Sequence, residues 1–485
     1  MSDFSKHTSL RGLLAPARFE ADVYDCEVSG AIPADLDGAF YRMHGDWLYP
    51  PKYLDDISLA ADGYVSSFRF RNGLVDYKGR YVRTDRFERQ MQARRQLYGY
   101  YRNPYTDEPQ VQDIANPGLR TTANTTPVSF NGQLLATKED GLPYRLDPRT
   151  LATLGPTDFE GQWQGQAFTA HPKLDPRSGE LVACGYEADG LASRQVLLGS
   201  FAQHGQLQWQ RRFDVPYTSM LHDMALTPQH ALIVGGGGVT SLERIKAGKL
   251  HWAWNSSLPS YYGIVPRNSA EPIRWFSGPE RSIVHTANAY VDGNKVVLIA
   301  PMANGNTWPW FEDLAGKPFA MPPTTLRRVT FDLDGNAESG VEEVLFDRPI
   351  TSFTRIDERF TTLPFRYVFV QFADAEQAWQ GALPDDPRQQ PVNSIGRFDL
   401  QTMTMKSLFV GAHHIVQEPC FVPRPGSSAE GDGYLLATVH NLQTQRTELL
   451  IVDAQEMVEL ARVLLPFRTA AQVHGIWADV NELPM

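Results

Sequence analysis

YRLDPRTLATLG, residues 144–155, reads as an apolar strand, an aspartate, a short polar turn and a second strand. A carboxylate at Asp147 can accept a hydrogen bond from the backbone two residues on and so set the turn. The same unit recurs in RVTFDLDGNAESGVEEVLF (328–346) around Asp332 and in GRFDLQTMTMKSLFV (396–410) around Asp399. It recurs again in LLIVDAQEMVELARVLL (449–465) around Asp453. These aspartates are 185, 67 and 54 residues apart, and the first interval is close to three times 62. A period of 60 to 70 over 485 residues gives about seven units, each with room for a four- or five-stranded blade plus loops. Radial repetition of such blades is a β-propeller. The repeats alone leave open a set of unrelated hairpins in a sandwich.

The rest of the chain supports an all-β reading. SSFRFRNGLVDYKGRYV (66–82) and NAYVDGNKVVLIA (288–300) are apolar runs broken at Asn72-Gly73 and at Asp292-Gly293-Asn294, as hairpins require. The best helix spans Asp85 to Tyr98, with Thr84 as its N-cap. Residues 255–281 and 305–323 read as long loops rich in aromatics and prolines, suited to capping one face and walling a pocket. No linker or low-complexity tract divides the chain, so residues 1–485 read as one domain.

Composition excludes several classes. Lys+Arg is 45 against Asp+Glu 56, a net charge of −11. Neutralising phosphates needs a basic stripe, so nucleic acid is not an expected partner. The basic cluster from Arg86 to Arg95 alternates with acidic and apolar residues and reads as a solvated helix face. The apolar run from Val296 to Ala303 is eight residues long and contains Pro301, whereas a bilayer span needs about 20. The first ten residues lack the apolar core of a signal peptide. Cys26, Cys184 and Cys420 form no CxxC pair and suit a reducing compartment, so the expected location is the cytoplasm, without a membrane span or disulfide frame.

Four of the twelve histidines stand in distinctive contexts: His171 in FTAHPKLDPRSGEL, His222 in MLHDMALT, His285 in IVHTANAYVDGN and His474 in AAQVHGIW. Each follows apolar or small residues, as a strand end supplies. Their intervals are 51, 63 and 189 residues, and the last is three times 63. Equivalent positions in different blades converge on a propeller's axis, and neutral imidazoles there would suit iron. Spacing alone also fits four separate structural histidines. The glycines 235–238 follow a strand, but no Lys-Ser/Thr or helix follows them, so they read as a tight crossing and not a phosphate loop.

These contexts, together with ADGYVSSFRFRNG (61–73), KEDGLPYRLDPRTLATLG (138–155), FTRIDERF (353–360), QEPCFVPRPGSSAEGDGYLL (417–436) and VHGIW (473–477), resemble the carotenoid cleavage oxygenase family, in its lignostilbene dioxygenase branch. The resemblance runs across most of the chain. It implies a seven-bladed β-propeller with loops and short helices capping the active-site face. It also implies a non-haem Fe(2+) held by His171, His222, His285 and His474. It places Glu139 and Glu418 as carboxylates bonded to the outer nitrogens of two ligands, and puts Ser352 where the family carries a third glutamate. It assigns Lys138 and Tyr105, in YRNPYTDEP (101–109), to the phenol of a 4-hydroxystilbene. An ammonium and a phenolic hydroxyl there would stabilise a developing phenolate.

The activity so implied is O2-dependent cleavage of the interphenyl double bond of a 4-hydroxystilbene, giving two aromatic aldehydes with both oxygen atoms in the products. The expected partners are a small stilbene and O2, and the resemblance also implies a homodimer. The alternatives are a carotenoid or apocarotenoid oxygenase, which calls for a long apolar tunnel, and a metal-free propeller scaffold.

Overall fold

The computed structural model describes residues 3–7, 10–380 and 391–483. Seven antiparallel sheets of four or more strands form the blades of a propeller. Taken from the innermost strand outward, one blade runs Thr126–Phe130, Gln133–Thr137, Tyr144–Leu146 and Thr153–Pro156. The innermost strands of the next four are Lys173–Leu174, Met224–Leu226, Asn288–Asp292 and Thr354–Arg355. The sixth has Cys420–Pro423, and the seventh has Gly475–Asp479.

Two blades close the ring by exchanging the ends of the chain. Gly475–Asp479 pairs with Gly38–Asp46, and Glu27–Gly30 adds to the outer edge of the sixth blade beside Val458–Leu464. The four aspartate units are the hairpins between third and fourth strands of their blades. In each, Oδ1 accepts the amides two and three residues on: Arg149 and Thr150 at Asp147, Asp334 and Gly335 at Asp332, Gln401 and Thr402 at Asp399, Gln455 and Glu456 at Asp453.

The core lies between the blades. A strand's side chains alternate faces, and in a propeller both faces of a blade meet a neighbour. Along Leu181–Tyr186, Leu181 and Ala183 pack towards the preceding blade, whereas Val182, Cys184 and Tyr186 pack towards the following one. This explains why the strands read as near-continuous apolar runs. Gly235 marks one close crossing: a Cβ there would lie 2.1 Å from the Tyr261 ring.

Three expectations need correction. The helix spans Asp85–Ala93 and stops short of Tyr98, because Arg94 turns into the left-handed region at φ 54. Thr84 does cap it, accepting from the Phe87 amide. Arg86 is not solvated: it is buried, donates to the Ala60 carbonyl and lies over the Tyr98 ring. Residues 255–281 are not a loop, since they supply the strands Ser260–Pro266 and Arg274–Gly278. Among the described residues no helix is long and apolar enough to cross a membrane.

Candidate metal centre and adjoining pocket

Each of the four histidines sits one to three residues ahead of the innermost strand of its own blade: His171, His222, His285 and His474 before strands starting at Lys173, Met224, Asn288 and Gly475. That shared register brings the four side chains to one end of the axis. One ring nitrogen from each lies within 4.8 Å of the others, and all four residues are buried. The Nε2 atoms of His171 and His222 are 3.1 Å apart.

The outer nitrogens are held by the chain. His222 Nδ1 meets Glu139 Oε1 at 3.2 Å, His474 Nδ1 meets Glu418 Oε1 at 2.9 Å, and His285 Nδ1 meets the Ser352 carbonyl oxygen at 3.1 Å. His171 Nδ1 has the long contact, 3.5 Å to Thr126 Oγ1. An acceptor at Nδ1 fixes the tautomer with its proton outward and leaves the Nε2 lone pair facing in. Burial pushes the pKa of His171 and His285 well down and neighbouring histidines push in the same direction, whereas at His474 burial lowers the pKa against the opposing pull of Glu418. His285 Nε2 is buried without a hydrogen-bond partner. Four imidazole nitrogens, one of them orphaned, converging in a buried site fit a metal ion that prefers imidazole.

The two glutamates stay ionised although buried. Desolvation works to raise both, but Lys138 and His222 hold Glu139 far below the usual carboxylate range. His474 and Arg355 hold Glu418 down at about 2. Glu418 Oε2 also accepts the Gly475 amide and the Arg355 guanidinium, each at 3.2 Å. Phe353 rests against His285 and His474, with ring centroids 5.1 and 5.2 Å away.

Lys138 lies at the same end of the propeller, because Thr137 pairs with Thr126 at the start of an innermost strand. Its Nζ is buried, has no hydrogen-bond partner, and sits 4.8 Å over the ring of Tyr101. The Tyr101 hydroxyl is likewise buried and unpartnered. Tyr105 is four residues away on the short turn Pro104–Thr106, half-buried, with no hydrogen bond or ring contact to Lys138. Tyr101 belongs to an apolar cluster with Tyr186, Trp252, Trp254 and Phe311, against which Trp308 and Trp310 pack from residues 305–323. On the other side of the histidines a cavity of about 660 Å³ extends between the innermost strands, lined by His171, His285, His474, Lys173 and Asp223 among others.

A seven-bladed propeller with a buried four-histidine centre on its axis defines a class of metal-binding protein. The model of the retinal pigment epithelial membrane protein (RPE65) family matches residues 14–479, and the chain belongs to that family. It is 38% identical to lignostilbene-alpha,beta-dioxygenase isozyme III of Sphingomonas paucimobilis, with 100% of each chain covered. It is 37% identical to resveratrol cleavage oxygenase 1 of Aspergillus fumigatus, over 99% of this chain and 97% of that one. Its fold matches the crystal structure of Pseudomonas brassicacearum lignostilbene dioxygenase with a TM-score of 0.92 and 36% identity, covering 97% of this chain and 98% of that one.

Proposed function

We propose that this chain is a non-haem Fe(II) dioxygenase that cleaves the interphenyl double bond of a 4-hydroxystilbene, giving two aromatic aldehydes. The observation that carries the reading is a buried, unpartnered lysine–tyrosine couple at the same end of the propeller as a four-histidine centre. His171, His222, His285 and His474 would hold the iron, which supplies O2 binding and activation. The chain's other groups bind and polarise the substrate. The Lys138 ammonium and the Tyr101 hydroxyl, each lacking a partner, would pair with the substrate's phenolic oxygen and stabilise it as phenolate, which makes the conjugated alkene electron-rich. The nearby aromatic cluster supplies flat apolar surface for the rings. A polyene offers no oxygen to Lys138 and would leave its buried Nζ without a hydrogen-bond partner, which disfavours the carotenoid alternative.

The balance is one stilbene plus one O2 giving two aldehydes. Three free, buried cysteines suit the reducing cytoplasm. The test is aerobic incubation with hydroxylated stilbenes and one apocarotenoid under 18O2, with products identified by mass. One label in each of two aromatic aldehydes is expected. Cleavage of the apocarotenoid alone would overturn the substrate assignment.

A further inference from the structure

Asp223 follows His222 directly, and its carboxylate is buried. Oδ2 accepts the Thr286 amide at 2.7 Å and the Thr286 hydroxyl at 3.0 Å. That amide belongs to the peptide bond joining His285 to Thr286. Oδ1 accepts its own neighbour's amide, Met224, at 2.7 Å, and lies 2.7 Å from Lys173 Nζ. Lys173 stands two residues beyond His171. One carboxylate therefore touches three of the four histidine-bearing segments, from three successive blades, without touching an imidazole. The fourth segment is gripped in a similar way: Glu418 takes both the His474 ring and the Gly475 amide that follows it.

We infer that Asp223 is a positioning residue for the metal centre, tying the segments that carry His171, His222 and His285 into one frame, the first through the Lys173 side chain and the other two through the Met224 and Thr286 amides. The inference rests on the metal-centre reading above. Adjacent blades meet mainly through apolar side chains, which resist separation better than sliding. Charge-assisted hydrogen bonds between strand starts oppose sliding directly, because they are directional. The imidazoles then keep their separations without each having to be held by its own ring contact. This matters most for His171, whose outer nitrogen has only the long Thr126 contact.

The test uses the full chain freed of metal by chelation and titrated with Co(II), followed by its visible absorption, alongside the melting temperature of the metal-free protein. Asp223→Asn keeps the size but replaces an acceptor facing Lys173 or Thr286 with an NH2 donor. A loss of Co(II) affinity of about 10–100-fold is expected, as for other outer partners of metal ligands. Lys173→Met, at a partly exposed position, should lose less and melt as wild type does. Asp175→Asn serves as the control. That buried carboxylate pairs with Arg267 in the turn after the Lys173–Leu174 strand, and its loss should lower melting without weakening Co(II). Co(II) affinity in Asp223→Asn equal to wild type, or reduced no more than in the control, would overturn the inference. Failure of the wild-type chain to bind Co(II) would instead sink the metal-centre reading itself.

Discussion

The Nδ1 of His285 bonds to the main-chain carbonyl of Ser352 at 3.1 Å, so at this position the chain itself is the acceptor and the serine hydroxyl is not. Ser352→Ala should keep metal content and turnover close to wild type, since the carbonyl survives the substitution. Glu139→Gln and Glu418→Gln remove the acceptors of His222 and His474, and each should cost about 10–100-fold in metal affinity or activity. Iron analysis and steady-state rates on the three variants check the contrast. Equal, large losses at all three would mean that the hydroxyl has a role of its own.

Iron content gives the next test. The purified chain should carry about one iron, and His→Ala at 171, 222, 285 or 474 should abolish turnover and strip most of the metal. The four nitrogens lie within 4.8 Å of one another in a buried site, so no nearby group of the set can replace the missing one. A variant that retained full iron and normal turnover would remove that histidine from the site.

Phenol activation separates two substrates of nearly equal shape. A 4-hydroxystilbene should be cleaved and its 4-methoxy analogue should not, because a site built to pair a hydroxyl can reject the analogue lacking it by about 10⁴–10⁵. Lys138→Met should depress kcat more than it raises KM, since the lost interaction strengthens as phenolate charge develops. Tyr101→Phe should act in the same direction, more weakly, whereas Tyr105→Phe should be near neutral. Comparable rates on the two wild-type substrates would revive a carotenoid-type reading.

Glu187 pairs with His251 Nε2 at 3.0 Å and with Arg102, which in turn donates to the Glu139 carbonyl. Burial works to raise the Glu187 pKa, but His251 and Arg102 hold it down at about 2, against 4.5 for a free glutamate. A depressed carboxylate stabilises the fold fully above its unfolded value and loses that contribution as pH falls through the folded one. Glu187→Gln should therefore destabilise by about 3–5 kcal/mol near neutrality, as breaking a buried pair does. The gap from wild type should narrow as pH drops from about 5 towards 2. Denaturant melts of both proteins at a series of pH values measure it, and a gap that stays constant with pH would show that Glu187 acts only by packing.

Much of this was legible in sequence because it is local or repeated. Each aspartate turn is built within three residues, so Asp147, Asp332, Asp399 and Asp453 announce their hairpins directly. The histidine intervals repeat with the blade, although each histidine stands just before its innermost strand and not at a strand end as its preceding residues suggested. What escaped depends on contacts between distant segments. Tyr101 and Tyr105 stand in one irregular stretch, and only packing against Lys138, which follows the strand Gln133–Thr137, distinguishes them. Thr286 reaches Asp223 across 63 residues. The acceptor at Ser352 was illegible because a motif records side chains, and here the acceptor is an atom that every residue carries.

Ring closure has a consequence for the order of events during synthesis. His171, His222 and His285 belong to three consecutive blades and can come together without the two ends of the chain meeting. His474 cannot, because its strand Gly475–Asp479 pairs with Gly38–Asp46, made more than 400 residues earlier. The four-nitrogen set is therefore incomplete until the last seam zips. A metal captured earlier would be weakly held and exchangeable, and it would be locked in only when the two ends of the chain meet.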